Sequence, residues 1–417
     1  MTKTIDATIL FVDVMDSMEI ANYWDTKKYR NFLNEFQETM QDGICLHKDG
    51  IKDFKIAGDE TVVFYSSKDI GKDIVNAVCL ANTLKILWYT RPTNRRRISD
   101  GKKVLDLGIG INTGKITYGE MPVYNELKKF IKRKKTFEGL PISLAKRIEG
   151  FSRDGRYSRI MVGPRTMTEL NKQHHAYECE FMGLQKFKGM SQETPVFELK
   201  SCYSTDAAIL GGDKGFDWAI KQLERIKVFD PSNIWLLMTL IDIYCYKKNY
   251  KKVEIYCKEA VGIDDKVRNI LFELASSLEE QKKYDEAIFY CDKGINSWMD
   301  YTGFYMIKAA CLIFLERYDD AIKTCINGIN NFPKECTICR RTYGSALYYN
   351  IAAAHARKGD RARALANIRT AIKYGGRELI EILKKDKDGD FCNLYGDNEF
   401  KQLKEGILKK NNRRRKN

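Results

Sequence analysis

The sequence predicts two fold classes in tandem, an α+β domain followed by an all-α superhelix of repeated helix pairs. Three observations carry this. Through roughly the first 200 residues, short apolar runs of strand length alternate with longer amphipathic stretches. The second half repeats itself, with Phe216, Tyr250, Tyr284 and Tyr318 each 34 residues apart. The length of 417 residues, at roughly 100 to 200 per domain, leaves room for two or three domains and excludes a single small module.

In the first part, residues 7–14 (around TILFVDV) form a buried strand and 20–47 a long amphipathic helix. Residues 51–65 give two strands joined by a tight turn through Gly58, and a second helix covers 69–90. After a basic loop, KVLDLGIGINTGKITYG gives a hairpin turning at Gly114, and a helix carries LAKRI. Short strands near 158–163 and 193–199 close the domain. The first four strands and two helices in this order predict a ferredoxin-like βαββαβ core, a sheet with helices on one face.

In the second part, three residues after each aromatic marker comes a small or β-branched residue: Ala219, Val253, Ala287 and Ala321. A further copy in KGDRARALANI puts Ala364 in register after an insertion. Apolar residues at three and four spacing between the markers, such as Trp235, Leu236, Met238, Leu240 and Ile243, make each unit a helix pair. One pair cannot bury its own apolar face, so neighbours must stack. The period and the Y-x-x-A pattern resemble tetratricopeptide repeats. That resemblance implies protein binding or self-association, with a scaffold lacking any partner of its own as the alternative. The expected boundaries are 1–203 for the α+β domain, 207–385 for the repeats, and 386–417 for a helical cap and basic tail. The acidic run at Asp386, Asp388 and Asp390 is not read as a calcium loop. Counting from Asp386, the sixth position is Phe391 where glycine is needed, and the twelfth is Asp397.

Charged residues at 30% and hydrophobic residues at 44%, with 7 prolines, describe a globular chain and not a disordered or collagenous one. There is no apolar run of about 18 residues and no signal-peptide pattern at the start, so a cytoplasmic protein without a membrane span is expected. Twelve cysteines are scattered. Cys245, Cys257, Cys291, Cys311 and Cys325 sit in apolar helical patterns as reduced core thiols, and the Cys336–Cys339 pair lacks the second pair or histidines that zinc needs. The net charge of +15 concentrates at Arg95–Arg97 with Lys102 and Lys103, at Lys128–Lys135, and in the tail from Lys409 to Lys416. No nucleic-acid-binding signature accompanies it, so solvated loops are favoured over a nucleic-acid site, and a triphosphate site would also benefit from the basic field.

Two acids end or follow predicted strands. Asp13 closes ILFVDV, and Asp59 follows the hairpin glycine in KIAGDETVVFY. If their strands are sheet neighbours, the carboxylates converge and suit two divalent cations that align a triphosphate. By pattern alone, strand-end aspartates are more often turn or capping residues.

FVDVMDS, KIAGDE, LGIGINTGKITYG, GLPISLAKRIEG and LQKFKG, in this order and spacing, resemble the catalytic domain of class III nucleotidyl cyclases, the adenylate and guanylate cyclase family. The resemblance covers about 1–200 and implies the following roles. Asp13 and Asp59, with Val14, are the metal positions for Mg2+ or Mn2+. Arg147 stabilises charge on the α-phosphate in the transition state, and Lys188 contacts the triphosphate. Lys55 and Thr136 select the base. Lysine at the first of these positions and threonine at the second resemble adenylate cyclases, and a lysine donor would meet guanine's own N1 donor unfavourably, so ATP is expected. Ser143 stands where the family usually has asparagine, and its shorter hydroxyl leaves ribose orientation to water. With the long basic segment between Gly119 and Gly139, this keeps open a cyclase acting on a pyrimidine triphosphate, to cyclic CMP or UMP. A catalytically idle nucleotide-binding scaffold acting through its repeats is a third reading.

The reaction implied is attack of the ribose 3'-hydroxyl on the α-phosphorus with departure of pyrophosphate. Because the family site lies between two catalytic domains and this chain has one, the resemblance implies a homodimer. Read without the resemblance, Lys55 is a solvated strand lysine, Arg147 an ion-pair partner of Glu149, and His174 with His175 a polar helix end.

Overall fold

The computed structural model describes residues 2–124, 130–172, 177–202, 213–332, 337–386 and 389–406. The chain divides into two compact units, Met1–Lys248 and Asn249–Asn417. His174, His175, Lys128, Cys336 and the tail lysines lie outside the described residues, as does the side chain of Cys339.

The first unit is built on one sheet. Strand β1 (Lys3–Val14) pairs antiparallel with β3 (Glu60–Tyr65) on one side and with β4 (Leu107–Tyr124) on the other. β2 (Ile51–Ala57) adds beyond β3, and β6 (Ile160–Val162) pairs parallel with β4. β8 (Thr194–Cys202) and β7 (Tyr177–Gln185) complete the order β2-β3-β1-β4-β6-β8-β7. This is the βαββαβ core with extra strands added after it. β1 is buried on both faces: Leu10, Val12 and Val14 point to one core, while Ala7, Ile9 and Phe11 point to another. Alternation along a strand makes this possible.

Helices therefore cover both faces, not one. On the first face lie α2 (Thr26–Leu46) and α3 (Ile70–Tyr89), contributing Phe32, Phe36, Met40, Ala77, Leu80, Leu84 and Trp88. The expected single helix over 20–47 is two, because α1 (Ser17–Tyr23) stops and Asp25 caps α2 by accepting from Lys28 N at 2.8 Å. α4 (Pro92–Ser99) carries the first basic cluster, and α6 (Pro164–Asn171) follows β6. On the second face lies α5 (Leu140–Gly150), with Ala145 and Ile142 against Ile9, Phe11 and Ile116.

β4 also departs from expectation, since it runs straight through Gly114 without turning. Gly108, Gly110 and Gly114 share one face of the strand, and α5 lies directly on it. A Cβ at Gly110 would sit 2.4 Å from Ala145 O and Glu149 N, and one at Gly114 would sit 2.4 Å from Pro141 Cγ. The glycines serve close helix approach and not reversal. The chain reverses later, and part of the basic segment returns as β5 (Phe130–Glu138), antiparallel to the far half of β4.

A first helix pair, α7 (Asp213–Phe229) and α8 (Ile234–Tyr246), belongs to this unit. Trp235 of α8 donates its indole N–H to Asn82 Oδ1 of α3 at 3.1 Å and packs on Tyr89 at 5.3 Å between ring centroids. Beneath it Lys85 Nζ lies 5.2 Å from the Trp235 ring centre and 2.6 Å from Asp106 Oδ1, fully buried. Arg159 Nη1 reaches the other Asp106 oxygen at 3.0 Å. Burial alone would raise the Asp106 proton affinity, but Lys85 and Arg159 hold its carboxyl below the usual range.

The second unit continues the repeats: α9 (Tyr250–Ile263), α10 (Arg268–Glu280), α11 (Tyr284–Ser297), α12 (Thr302–Phe314), α13 (Tyr318–Asn330), α14 (Thr337–Arg357) and α15 (Arg361–Lys385, broken at Gly376). Val253, Ala287, Ala321 and Ala364 are all fully buried where each helix meets its neighbours. Lys248, Lys282 and Glu316, again 34 apart, take positive φ of 53°, 61° and 60° just before the repeating aromatic. The same left-handed turn recurs with ordinary side chains. Cys257, Cys291, Cys311 and Cys325 are buried, and burial pushes the last three thiols well above their usual range. Glu254 accepts from Lys258, Lys283 and Gln281. Although burial opposes it, these bonds hold the carboxyl down at about 2.

After α15 the chain folds back as α16 (Asn398–Lys404), burying Phe400 and Leu403 with Phe391 and Leu394. The described acidic residues there have other tasks, and Asp388 lies outside the described residues. Asp386 accepts from Asp390 N, Phe391 N and Tyr395 OH, Asp390 holds Arg357 at 2.8 Å, and Asp397 caps α16. Among the described residues no helix is long and apolar enough to cross a membrane.

Gly110→Ala is expected to destabilise the first unit by about 2 to 3 kcal/mol through overpacking against α5. Gly150→Ala, with open space around its Cβ, should stay within about 1 kcal/mol of wild type. Denaturant unfolding of both variants checks the contrast.

Candidate active site

The site begins at the end of β1. Asp13 sits on the face covered by α5, opposite Glu60 across the β1–β3 ladder and opposite Gly108 across β1–β4. Gly58, at φ 65°, makes the β2–β3 turn that only glycine adopts without strain, and it delivers Asp59 and Glu60 to the same end of the sheet. Asp13 binds its proton more tightly than usual. Burial is the main cause, Lys146 opposes it, and the charges of Asp59 and Glu60 add to it. Tyr29 of α2 is likewise pushed up by burial and by the charges of Asp59 and Asp13. The charge of Asp59 thus reaches Asp13, the other predicted metal acid. Val14 buries its side chain completely in the core, so as a ligand it could offer only its main-chain oxygen.

α5 brings three further charges. Its start is fixed by Asn112, whose side-chain N–H donates to Pro141 O at 3.0 Å, and its length by the glycine face of β4. Lys146 extends to the acids: its Nζ is 2.5 Å from Glu60 Oε2, 3.0 Å from Glu149 Oε2 and 3.9 Å from Asp13 Oδ2. Burial opposes its charge, but the hydrogen bonds to Glu60 and Glu149 raise its proton affinity. Glu149 is only 5% exposed, and burial, against the pull of Lys146, lifts its carboxyl to about 7. Glu149 thus pairs with Lys146, not with Arg147 as the sequence alone allowed. Lys146 and Glu60 were not singled out from sequence, and Glu149 was read only as an ion-pair partner of Arg147.

Arg147, the next residue along, faces the turn between β7 and β8, where a Cβ on Gly189 would lie 3.6 Å from its Nη2. That turn also carries Lys188, which is exposed. Ser143 is exposed on α5. Lys55 is exposed on β2 opposite Val62, and Thr136, half-buried on β5, donates to Gly119 O at 3.4 Å. α5 therefore sends Lys146 toward the acids and Arg147 toward the β7–β8 turn that carries Lys188, while Lys55 lies on the hairpin that carries Asp59.

The order and chemistry of these positions match a known family. Residues 1–200 match the family model for the adenylate and guanylate cyclase catalytic domain. This part of the chain belongs to that family. The cyclase domain is similar to the adenylyl cyclase CyaB from P. aeruginosa, at 20% identity and a TM-score of 0.40 over 48% of this chain and 95% of that one. It is similar to the guanylyl cyclase Cya2 at 20% identity and a TM-score of 0.39, over 48% and 94% of the two chains. The guanylate cyclase domain of RhGC from Catenaria anguillulae in complex with GTP gives 16% identity and a TM-score of 0.39, over 48% and 99%. A comparison with curated proteins gave no match. The cyclase domain supports nucleotidyl cyclase activity, and cyclase domains of this class act on nucleoside triphosphates, generally depend on divalent metal, and commonly dimerise.

Because the folded carboxyl of Glu149 is lifted to about 7 from its ordinary value of 4.5, its contribution to stability is full below pH 4.5. It is lost as pH rises to about 7. Glu149→Gln should flatten that descent and raise the melting temperature at pH 8, measured as Tm against pH without metal.

Proposed function

We propose that the chain is an adenylate cyclase that works as a homodimer and forms 3',5'-cyclic AMP and pyrophosphate from ATP. The observation carrying this reading is that Asp13 binds its proton more tightly than usual, through burial first and then through the charges of Asp59 and Glu60 at the same end of the sheet, an arrangement that divalent cations would relieve. Asp13 and Asp59, with the main-chain oxygen of Val14, would hold Mg2+ or Mn2+, which lowers the pKa of the ribose 3'-hydroxyl and neutralises the departing pyrophosphate. The buried flank of Asp13 and the α5 helix keep water from its inner side.

Arg147 presents a fixed guanidinium to the α-phosphate, where charge grows in the transition state, and Lys188 binds the triphosphate tail. Ser143 orients the ribose through a bridging water. Lys55 donates to an adenine ring nitrogen and Thr136 reads the exocyclic edge. Arg147 points to the β7–β8 turn with Lys188, and Lys146 points to the acids. Each centre in this reading is therefore completed by Arg147 and Lys188 from a second copy of the chain. The repeats regulate the dimer or bind a partner protein.

Purified protein given each of four nucleoside triphosphates with Mn2+ is expected to turn over ATP fastest, read by chromatography of cyclic products. A cyclic pyrimidine nucleotide as the main product would replace the adenylate reading, and no product at all would favour the scaffold. Asp59→Ala should abolish turnover while leaving the melting temperature within a few degrees of wild type. Arg147→Ala should lose roughly a hundred- to a thousand-fold in rate. Mixed Asp13→Ala and Arg147→Ala chains should recover partial activity, since a mixed dimer rebuilds one intact centre. Mixed dimers shown to form without recovering activity would contradict the shared centre.

A further inference from the structure

Lys146 is the cation of the acidic group, and neither the strand ends nor the substrate roles explain its place there. Its ammonium lies within 4 Å of three carboxylates drawn from three elements: Asp13 of β1, Glu60 of β3 and Glu149 of α5. Asp59 adds a fourth negative charge that acts on Asp13. Left without a counter-charge, such a group would be strongly self-repelling. One lysine thus does for this cluster what a bound cation would do.

The geometry also shows how the ammonium is held. Its Nζ stands 5.8 Å from the Phe11 ring centre, so the ammonium lies over an aromatic ring of β1 as well as beside the acids. Its side chain is 39% exposed, which leaves an open path along which the flexible four-carbon stem can withdraw to water. The backbone beneath cannot retreat, because Gly110 packs against the α5 main chain at this point.

We propose that Lys146 is a tethered cation that competes with the divalent metal for Asp13 and its acidic neighbours, so that metal enters only by displacing the ammonium. This rests on the reading of Asp13 and Asp59 as metal ligands. It makes Lys146 a positioning residue that keeps the metal-free site assembled and raises the metal concentration at which the site fills. A divalent ion brings twice the charge of the ammonium to the same oxygens, so displacement is favoured once enough metal is present.

The test is equilibrium binding of Mn2+ alone to the full chain, followed by the electron paramagnetic resonance signal of free Mn2+. The proteins compared are wild type, Lys146→Met, Lys146→Arg and Asp13→Asn, plus the Lys146→Met/Asp13→Asn double variant. Methionine keeps a flexible unbranched stem and removes the charge. Lys146→Met should bind Mn2+ about ten-fold tighter than wild type or more, Lys146→Arg should stay close to wild type, and the double variant should lose the gain. Equal or weaker binding by a folded Lys146→Met, with binding still weakened by Asp13→Asn, overturns the competition while leaving the metal ligands in place. Mn2+ binding that no Asp13 substitution changes overturns both. Circular dichroism of each variant separates either result from misfolding.

Discussion

The cyclase domain depends on how closely helix α5 lies on strand β4. Three glycines on one face of the strand let the helix backbone come within van der Waals contact of the sheet, and any side chain at Gly110 would collide with main-chain atoms that cannot move aside. That contact fixes the rotation and height of the helix. Two successive residues then point in different directions, Lys146 into the acidic end of the sheet and Arg147 toward the β7–β8 turn. With a larger separation, a lysine stem could still reach the acids, but its position would no longer be set by the fold.

The charges of the site follow from this placement. Glu60 and Asp59 arrive because Gly58 turns tightly, and Asp13 arrives because β1 ends there. Burial raises the proton affinity of Asp13, the charges of Asp59 and Glu60 add to it, and burial lifts Glu149 beneath them to about 7. The lysine is therefore part of the architecture as much as of the chemistry.

Much of this was legible in the sequence, for definable reasons. The strand ending at Asp13, the Gly58 turn and the order of five short motifs are local signals, and local signals survive without a structure. The 34-residue period was equally visible, because it rests on a repeating aromatic and, three residues on, a small or β-branched residue buried at helix contacts. What escaped depends on distance across the fold. Lys146 in LAKRI looks like any solvated helix lysine until the helix is laid on the sheet. Gly114 looks like a turn because glycine has two uses, reversal and close approach, and only the Pro141 contact distinguishes them. The left-handed turns at Lys248, Lys282 and Glu316 use residues that usually avoid positive φ, so composition gave no sign of them. The second face of the sheet was missed because β1 reads as a plain apolar run, which fits burial on either one side or both.

The indole of Trp235 leads to a further point about where the catalytic portion ends. It roofs the buried Lys85–Asp106 pair, and Asp106 in turn accepts from Met15 N at 3.0 Å, two residues beyond Asp13. Cutting the chain at the end of β8 would strip that roof and open a charged pair to water in the middle of helix α3. The compact unit is accordingly longer than its homology region. It runs to about residue 248 and takes with it the first helix pair, which serves as a lid on the enzyme's interior as well as the opening unit of the repeat array.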